Sequence, residues 1–185
     1  MSAGPSTLHN ELEMRILLAT CAIFLCTASA QTPRVPDTWA PLGFLIGEWT
    51  GEGGGQPGQG SGGFSFLPDL DKKILVRKNR ADYPATKDHA AFTHTDLMIL
   101  YRESGAIKLR AIYFDPEDHV IHYTVEPSSD GRAVQFLSDA SPSNPRYRLT
   151  YTQTGADTVA IKFEIAVPGK PDSFSTYIEA AARRK

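Results

Sequence analysis

Arginine, histidine and tyrosine carry most of the chemistry on offer in this sequence. Lys72–Tyr83 reads KKILVRKNRADY. Lys73, Leu75, Arg77 and Asn79 alternate there with Ile74, Val76, Lys78 and Arg80, so either strand face would carry a cation inward. Arg110 interrupts an apolar run, residues 107–113, in the same way. A buried cation needs a partner. Arg77 or Arg110 would then receive a ligand carboxylate in a cavity. The other readings are a solvated outer face, or an internal pair with Asp96 or Glu126. Tyr101, Tyr113, Tyr123, Tyr147 and Tyr151 offer aromatic walls with polar tips.

The histidines give less. His119-x-x-His122 would chelate a metal on a helix, but on a strand residues three apart face opposite ways. His94 and Asp96 share a strand face and make half a metal site. His89, His94, His119 and His122 otherwise read as solvated or structural, and no metal site is expected. No G-x-S-x-G elbow occurs. The two cysteines, Cys21 and Cys26, lie in the N-terminal segment. No catalytic residue is assigned.

Eight of the fifteen glycines fall between Gly51 and Gly63. They give two G-x-G-x-x-G matches, at Gly53/Gly55/Gly58 and at Gly58/Gly60/Gly63. Neither opens a helix, because Phe64-Ser65-Phe66 resumes a strand. A dinucleotide pyrophosphate needs that helix N-terminus, and no Lys-Ser or Lys-Thr completes a phosphate loop. The segment reads as a mobile hairpin loop, a flap over a barrel mouth.

These side chains must be positioned by strands. Segments rich in Val, Ile, Tyr, Phe and Thr recur at Phe44–Gly53, Gly63–Leu70, Lys72–Tyr83, Thr95–Glu103, Ala106–Asp115, His119–Glu126, Ala133–Ser138, Arg146–Thr154, Thr158–Val167 and Phe174–Ala181. Turn signals such as Asp115-Pro116-Glu117-Asp118 and Pro168-Gly169-Lys170-Pro171 separate them. Val159, Ile161, Phe163, Ile165 and Val167 alternate with Lys162 and Glu164, which means one buried face and an antiparallel sheet. About ten short strands with hairpin-length links predict an all-β, up-and-down antiparallel barrel, which removes its own edges. A sandwich is the competing architecture. A barrel of this size encloses room for one small ligand.

The first 30 residues read as an address. Ile16–Cys26 is apolar but too short to cross a bilayer. Arg15 precedes it and Ala28-Ser29-Ala30 follows it, the pattern of a secretory signal peptide cleaved before Gln31. Met14 is a candidate true start, and an uncleaved anchor is the alternative. Cleavage would remove both cysteines, leaving neither thiol chemistry nor a disulfide. Residues 31–43 form an N-terminal arm with a short helical turn at Thr38–Gly43, a lid or plug, and residues 44–185 form the barrel. The chain has 185 residues, 22% of them charged, and a net charge of −2. That balance excludes disorder and leaves no electrostatic footprint for nucleic acid.

Gly47-Glu48-Trp49-Thr50-Gly51-Glu52-Gly53 opens the first strand. Gly47, Trp49, Gly51 and Gly53 share a face, which suits the crowded closed end of a barrel. Trp49 would plug that base, with Arg183 or Arg184 over its ring, or would touch a ligand directly. The G-x-W-x-G-x-G run after Pro41–Ile46 resembles the first strand of nitrobindin-type, lipocalin-like barrels, and of a related family of secreted bacterial proteins. The ending, Tyr177–Arg184, is similar in style to their last strand. The resemblance implies a ten-stranded barrel over residues 38–185. In true nitrobindins it also implies a haem held by a last-strand histidine. Tyr177 stands at that position here. Tyrosinate ligates ferric haem in other proteins, but the departure leaves haem as an alternative only.

The expectation is a secreted or periplasmic barrel that binds a small, largely apolar molecule. Trp49, Arg77, Arg110, His122 and Tyr177 are its ligand-binding candidates. Gly47, Trp49, Gly51, Gly53 and Arg183 would build the base. The rivals are a haem protein acting on nitric oxide or peroxynitrite, an isomerase or lyase using Tyr, Arg and His for acid–base work, and a structural interaction module. A buried Tyr–Arg–Glu or His–Asp cluster in the cavity would favour the isomerase or lyase, and an all-apolar cavity would count against it.

Overall fold

The computed structural model describes residues 37–52, 60–87, 89–104 and 108–185. The segment read as a signal peptide, both cysteines, Gly53 and most of the glycine-rich loop lie outside the described residues. Ten strands follow one another: β1 Gly47–Glu52, β2 Ser61–Asp69, β3 Ile74–Tyr83, β4 Phe92–Arg102 and β5 Leu109–Phe114, then β6 Val120–Pro127, β7 Ala133–Ser138, β8 Arg146–Gln153, β9 Thr158–Ala166 and β10 Phe174–Arg184. Each pairs antiparallel with the next, and β1 pairs with β10. The sheet is therefore a closed up-and-down barrel and not a sandwich. Closure gives every strand two neighbours, though Phe92–Asp96 of β4 runs beyond its pairing with β5 and much of β10 beyond its pairing with β1.

One end is sealed. Residues Ala40–Leu45 form a 3-10 turn, later than the expected helical turn and where the first strand was expected to begin. Pro41 suits the start of such a turn, having no N–H to satisfy there. Leu42 and Leu45, three residues apart, then fall on one side and are both buried. Trp39 is buried beside them, and its indole N–H donates to Lys72 O at 2.9 Å. This plug, the chain's end in β10 and the β2–β3 turn make the base.

Register fixes which side chains point in. Trp49 lies opposite Phe64 on β2 and Arg184 on β10. Leu75, Arg77 and Asn79 share the inward face of β3, with Asp96, Met98 and Leu100 opposite or beside them on β4. Trp49, Phe64, Phe66, Tyr123, Phe136 and Tyr151 fill the base and middle in one aromatic cluster. The barrel is not hollow along its length. At Gly47, φ is +131° and an added Cβ would sit 2.8 Å from Arg184 Nη1, so that position requires glycine. At Gly63 a Cβ would fall 2.0 Å from Trp49 O, because β1 and β2 approach too closely for any side chain. Gly51 has only ordinary contacts to offer a Cβ, at 3.8 Å, so crowding does not demand it there.

Candidate functional site

Arg77 stands where the aromatic filling ends. Its guanidinium carbon lies 5.9 Å from the Phe64 ring centre, and its side chain is 9% exposed. Its Nη1 donates to Asp96 Oδ1 on the neighbouring strand. Asn79 Nδ2 donates to the other Asp96 oxygen at 2.9 Å. His94, two residues along the same inward face of β4, places Nε2 3.5 Å from Asp96 Oδ2. Tyr113 Oη, from β5, lies 3.4 Å from His94 Nε2 and 3.2 Å from Asp115 Oδ2. Asp115 in turn holds His119 Nδ1 at 2.8 Å, and His94 Nδ1 lies 3.4 Å from Glu117 Oε1. The arrangement runs from a buried ion pair to a wet rim.

The electrostatics follow that gradient. Burial opposes the Arg77 charge, but Asp96, with the Tyr151 and Tyr113 dipoles, more than offsets it and raises its pKa. Burial likewise pushes the Asp96 carboxyl up. Arg77, His94 and Asn79 outweigh that and hold it below the usual carboxylate range. The hydrogen bond to Asp96 outweighs burial at His94 and raises its pKa, with Glu117 adding to it. Burial, then Asp96 and Asp115, raise the Tyr113 phenol. The site thus holds an ionised arginine and carboxylate beside a histidine shifted toward protonation relative to a free imidazole, and a phenol that stays neutral. Two buried groups, Arg77 Nε and Tyr151 Oη, lack a hydrogen-bond partner of good geometry among the described residues, although the Arg77 and Tyr151 side chains interact with each other. Such groups are uncommon in folded interiors and mark places for a water or a ligand atom.

Above this cluster the inward side chains Tyr113, Ile121, Tyr147 and Phe163 are only partly buried. Tyr147 and Phe163 stack with ring centres 5.9 Å apart. Tyr177 sits in an irregularity of β10 between Thr176 and Ile178, meets Phe163 edge-on at 6.2 Å and is 61% exposed. Inward-facing rings that remain exposed mean an open mouth.

The sequence candidates therefore separate. Arg77 is inside, and its internal pair with Asp96 is the one the sequence offered as an alternative to a ligand carboxylate. Trp49 is inside but deep at the base, where its indole N–H donates to Leu45 O at 2.9 Å. Tyr177 is at the rim. Arg110 and His122 are corrected. On β5 and β6 the inward positions are Ala111 and Tyr123, so the intervening Arg110 and His122 face out. Arg110 spends its guanidinium there on Asp139, at 2.9 and 3.2 Å, and on Thr124. Arg183 is corrected too. It pairs with Thr50 on the outward face, whereas Arg184 stacks over Trp49 at 4.4 Å and donates to Ile46 O and Phe44 O. One residue of register decides which arginine covers the indole.

Sequence reasoning missed Asn79, Asp115 and Glu117 and left Tyr151 among generic walls. Strand parity reaches Asn79 once Arg77 is placed inward. Asp115 and Glu117 were read only as a turn, and no periodic signal says that this turn folds over the mouth. An open depression of about 650 Å³ lies elsewhere, on the outer face of β8–β10 beside Thr150, Thr152, Lys162 and Glu179. It is remote from the inward cluster.

Haem, implied by the family resemblance, does not fit these residues. The phenol at the ligand position is at the rim, and the stacked rings of Tyr147 and Phe163 occupy the interior beside it. No family model matches this chain, and no curated protein matches it.

Proposed function

We propose that this chain is an exported small-molecule-binding barrel that takes its ligand at the open mouth. The observation that carries this reading is the change of character along the barrel. Packed aromatic rings give way, at Arg77, to polar and partly exposed inward side chains above the buried Arg77 and Tyr151. A small ligand with an apolar ring and one acceptor group suits this lining. The ring would lie against Tyr147, Phe163 and Tyr177. The acceptor would face Arg77 and Tyr113. The resemblance to nitrobindin-type barrels supports ligand binding in general, not haem. Export rests on the N-terminal segment alone, and N-terminal sequencing of the protein from its producing cell should find Gln31 first.

The test is mass spectrometry of small molecules that co-purify with the chain. A single species should co-purify with the unaltered protein and be lost from Phe163→Ala. A barrel that folds and yields no such species, or yields it equally from Phe163→Ala, overturns the reading.

A second reading, an acid–base isomerase or lyase, is favoured by one observation. His94 is backed by Asp96 and flanked by Tyr113, the pairing such proton transfers use. It requires turnover of the co-purified ligand that is lost in His94→Gln.

A further inference from the structure

We infer that the rim of the barrel carries a site for a first-row divalent cation of the zinc type, formed by His94 of β4 and by Asp115 and Glu117 of the β5–β6 turn. One ligand atom from each lies within 4.8 Å of the others. His94 Nδ1 and Glu117 Oε1 are already 3.4 Å apart. That is about the separation of neighbouring ligands around a tetrahedral ion with bonds of about 2.1 Å. The other ligand atoms need only a modest contraction, on a loop whose Glu117 side chain is 54% exposed.

The histidine is held as metal-binding histidines are. Its Nε2 faces Asp96, and Asp96 is itself fixed by Arg77 and Asn79. A carboxylate behind the ring sets its orientation and tautomer and leaves Nδ1 to ligate. Asp115 is also fixed. Its Oδ1 accepts the backbone N–H groups of Glu117 and His119 at 3.0 Å each, while Oδ2 lies 2.8 Å from His119 Nδ1 and 3.2 Å from Tyr113 Oη, contacts that an ion on Oδ2 would replace. Charge points the same way. Arg77 neutralises Asp96, while Asp115 and Glu117 bring two carboxylates beside the His94 imidazole, with His119 the one further basic group on Asp115. A donor set of imidazole nitrogen with two carboxylates selects zinc-type ions over calcium or magnesium, which take oxygen donors throughout.

This site does not depend on the small-molecule reading. It does compete with the acid–base one, because an ion on Nδ1 takes the lone pair that proton transfer would use.

The experiment is calorimetric titration of the full chain with zinc ion alone, with magnesium and calcium as separate titrants. Cys21→Ser and Cys26→Ser are included so that no thiolate competes. One zinc per chain should bind, with little response to magnesium or calcium. Glu117→Gln should weaken binding at least about 10-fold, and His94→Gln as much or more. His122→Gln, on the outer face, should leave it unchanged. Circular dichroism would verify each variant's fold, and Glu117→Gln alters only an exposed loop. Cobalt ion adds an independent readout, a visible absorption band that Glu117→Gln should alter. Absence of zinc binding, or equal affinity in the folded Glu117→Gln and unaltered chains, would overturn the proposal.

Discussion

At the base of the barrel Arg184 lies flat over the Trp49 ring and ties down the plug by two carbonyls. Along the same strand, at the mouth, Tyr177 leans on one ring and is otherwise in solvent. The arginines of the two regions differ in the same sense. Arg184 is satisfied by backbone oxygens that exist only when the plug is docked. Arg77 is satisfied by side chains, and its Nε has no partner of good geometry among the described residues. At the base, the Arg184 hydrogen bonds serve closure over packed apolar surface, with exposed ion pairs to Asp157 and between Lys185 and Glu48 outside it. At the mouth, polar groups serve one another, in a network that water can reach. The difference teaches that close apolar packing and an open polar network are separated along the barrel axis, with the Arg77–Asp96 pair as the boundary.

That separation can be broken most severely at the base. Trp49→Ala removes a fully buried indole, its hydrogen bond and its cation–π partner, and should cost about 5 kcal/mol, the upper end for such a truncation. Denaturant unfolding would show it as a large fall in midpoint. At the boundary, Asp96→Ala should cost about 3 kcal/mol, because it strands the buried Arg77 charge. The paired change Arg77→Met with Asp96→Leu should recover most of that loss, since an ion pair replaced by apolar groups of similar size is often tolerated. If the double variant is no more stable than Asp96→Ala alone, the pair is not the boundary described. Arg184→Met should cost about 2 kcal/mol, from two buried carbonyls losing a charged donor and from the lost contact with Trp49.

The same boundary marks what the sequence could express. The ten strands were legible because alternation has a period of two and Gly, Pro, Asp and Ser interrupt it. β7 and the starts of β8, β9 and β10 fall where those signals place them. The base was legible as a glycine–tryptophan face. The covering arginine was not, because Arg183 and Arg184 are adjacent and only register separates them. At the mouth, Arg77 and Asp96 were readable as a pair through parity. Arg110 and His122 were misplaced, since each sits in an apolar run whose inward phase depends on neighbouring strands. The Asp115–Glu117 turn was opaque, because a loop's path over a rim is set by tertiary contacts and leaves no periodic trace.

The smallest expected effect sharpens the comparison on the outer face of the mouth half. Glu164 lies under Arg148, which donates to it at 2.6 and 2.9 Å and stacks on Phe174 at 4.1 Å. The Arg148 hydrogen bonds outweigh burial and hold the Glu164 carboxyl below its ordinary value of 4.5. A folded pKa below the unfolded one means the folded state favours the ionised form. The stabilisation is therefore fully present above the unfolded pKa and lost as pH falls through the folded one. Arg148 is 31% exposed, so solvent screening keeps the contribution to under about 1 kcal/mol. Glu164→Gln should accordingly lower stability slightly at neutral pH and flatten its decline on acidification below about pH 4.5. The base has no comparable buried carboxylate among the described residues, so a parallel acid series on Arg184→Met should keep the full wild-type slope. Equal flattening in both variants would mean that acid sensitivity is shared by the two ends and not confined to the mouth half.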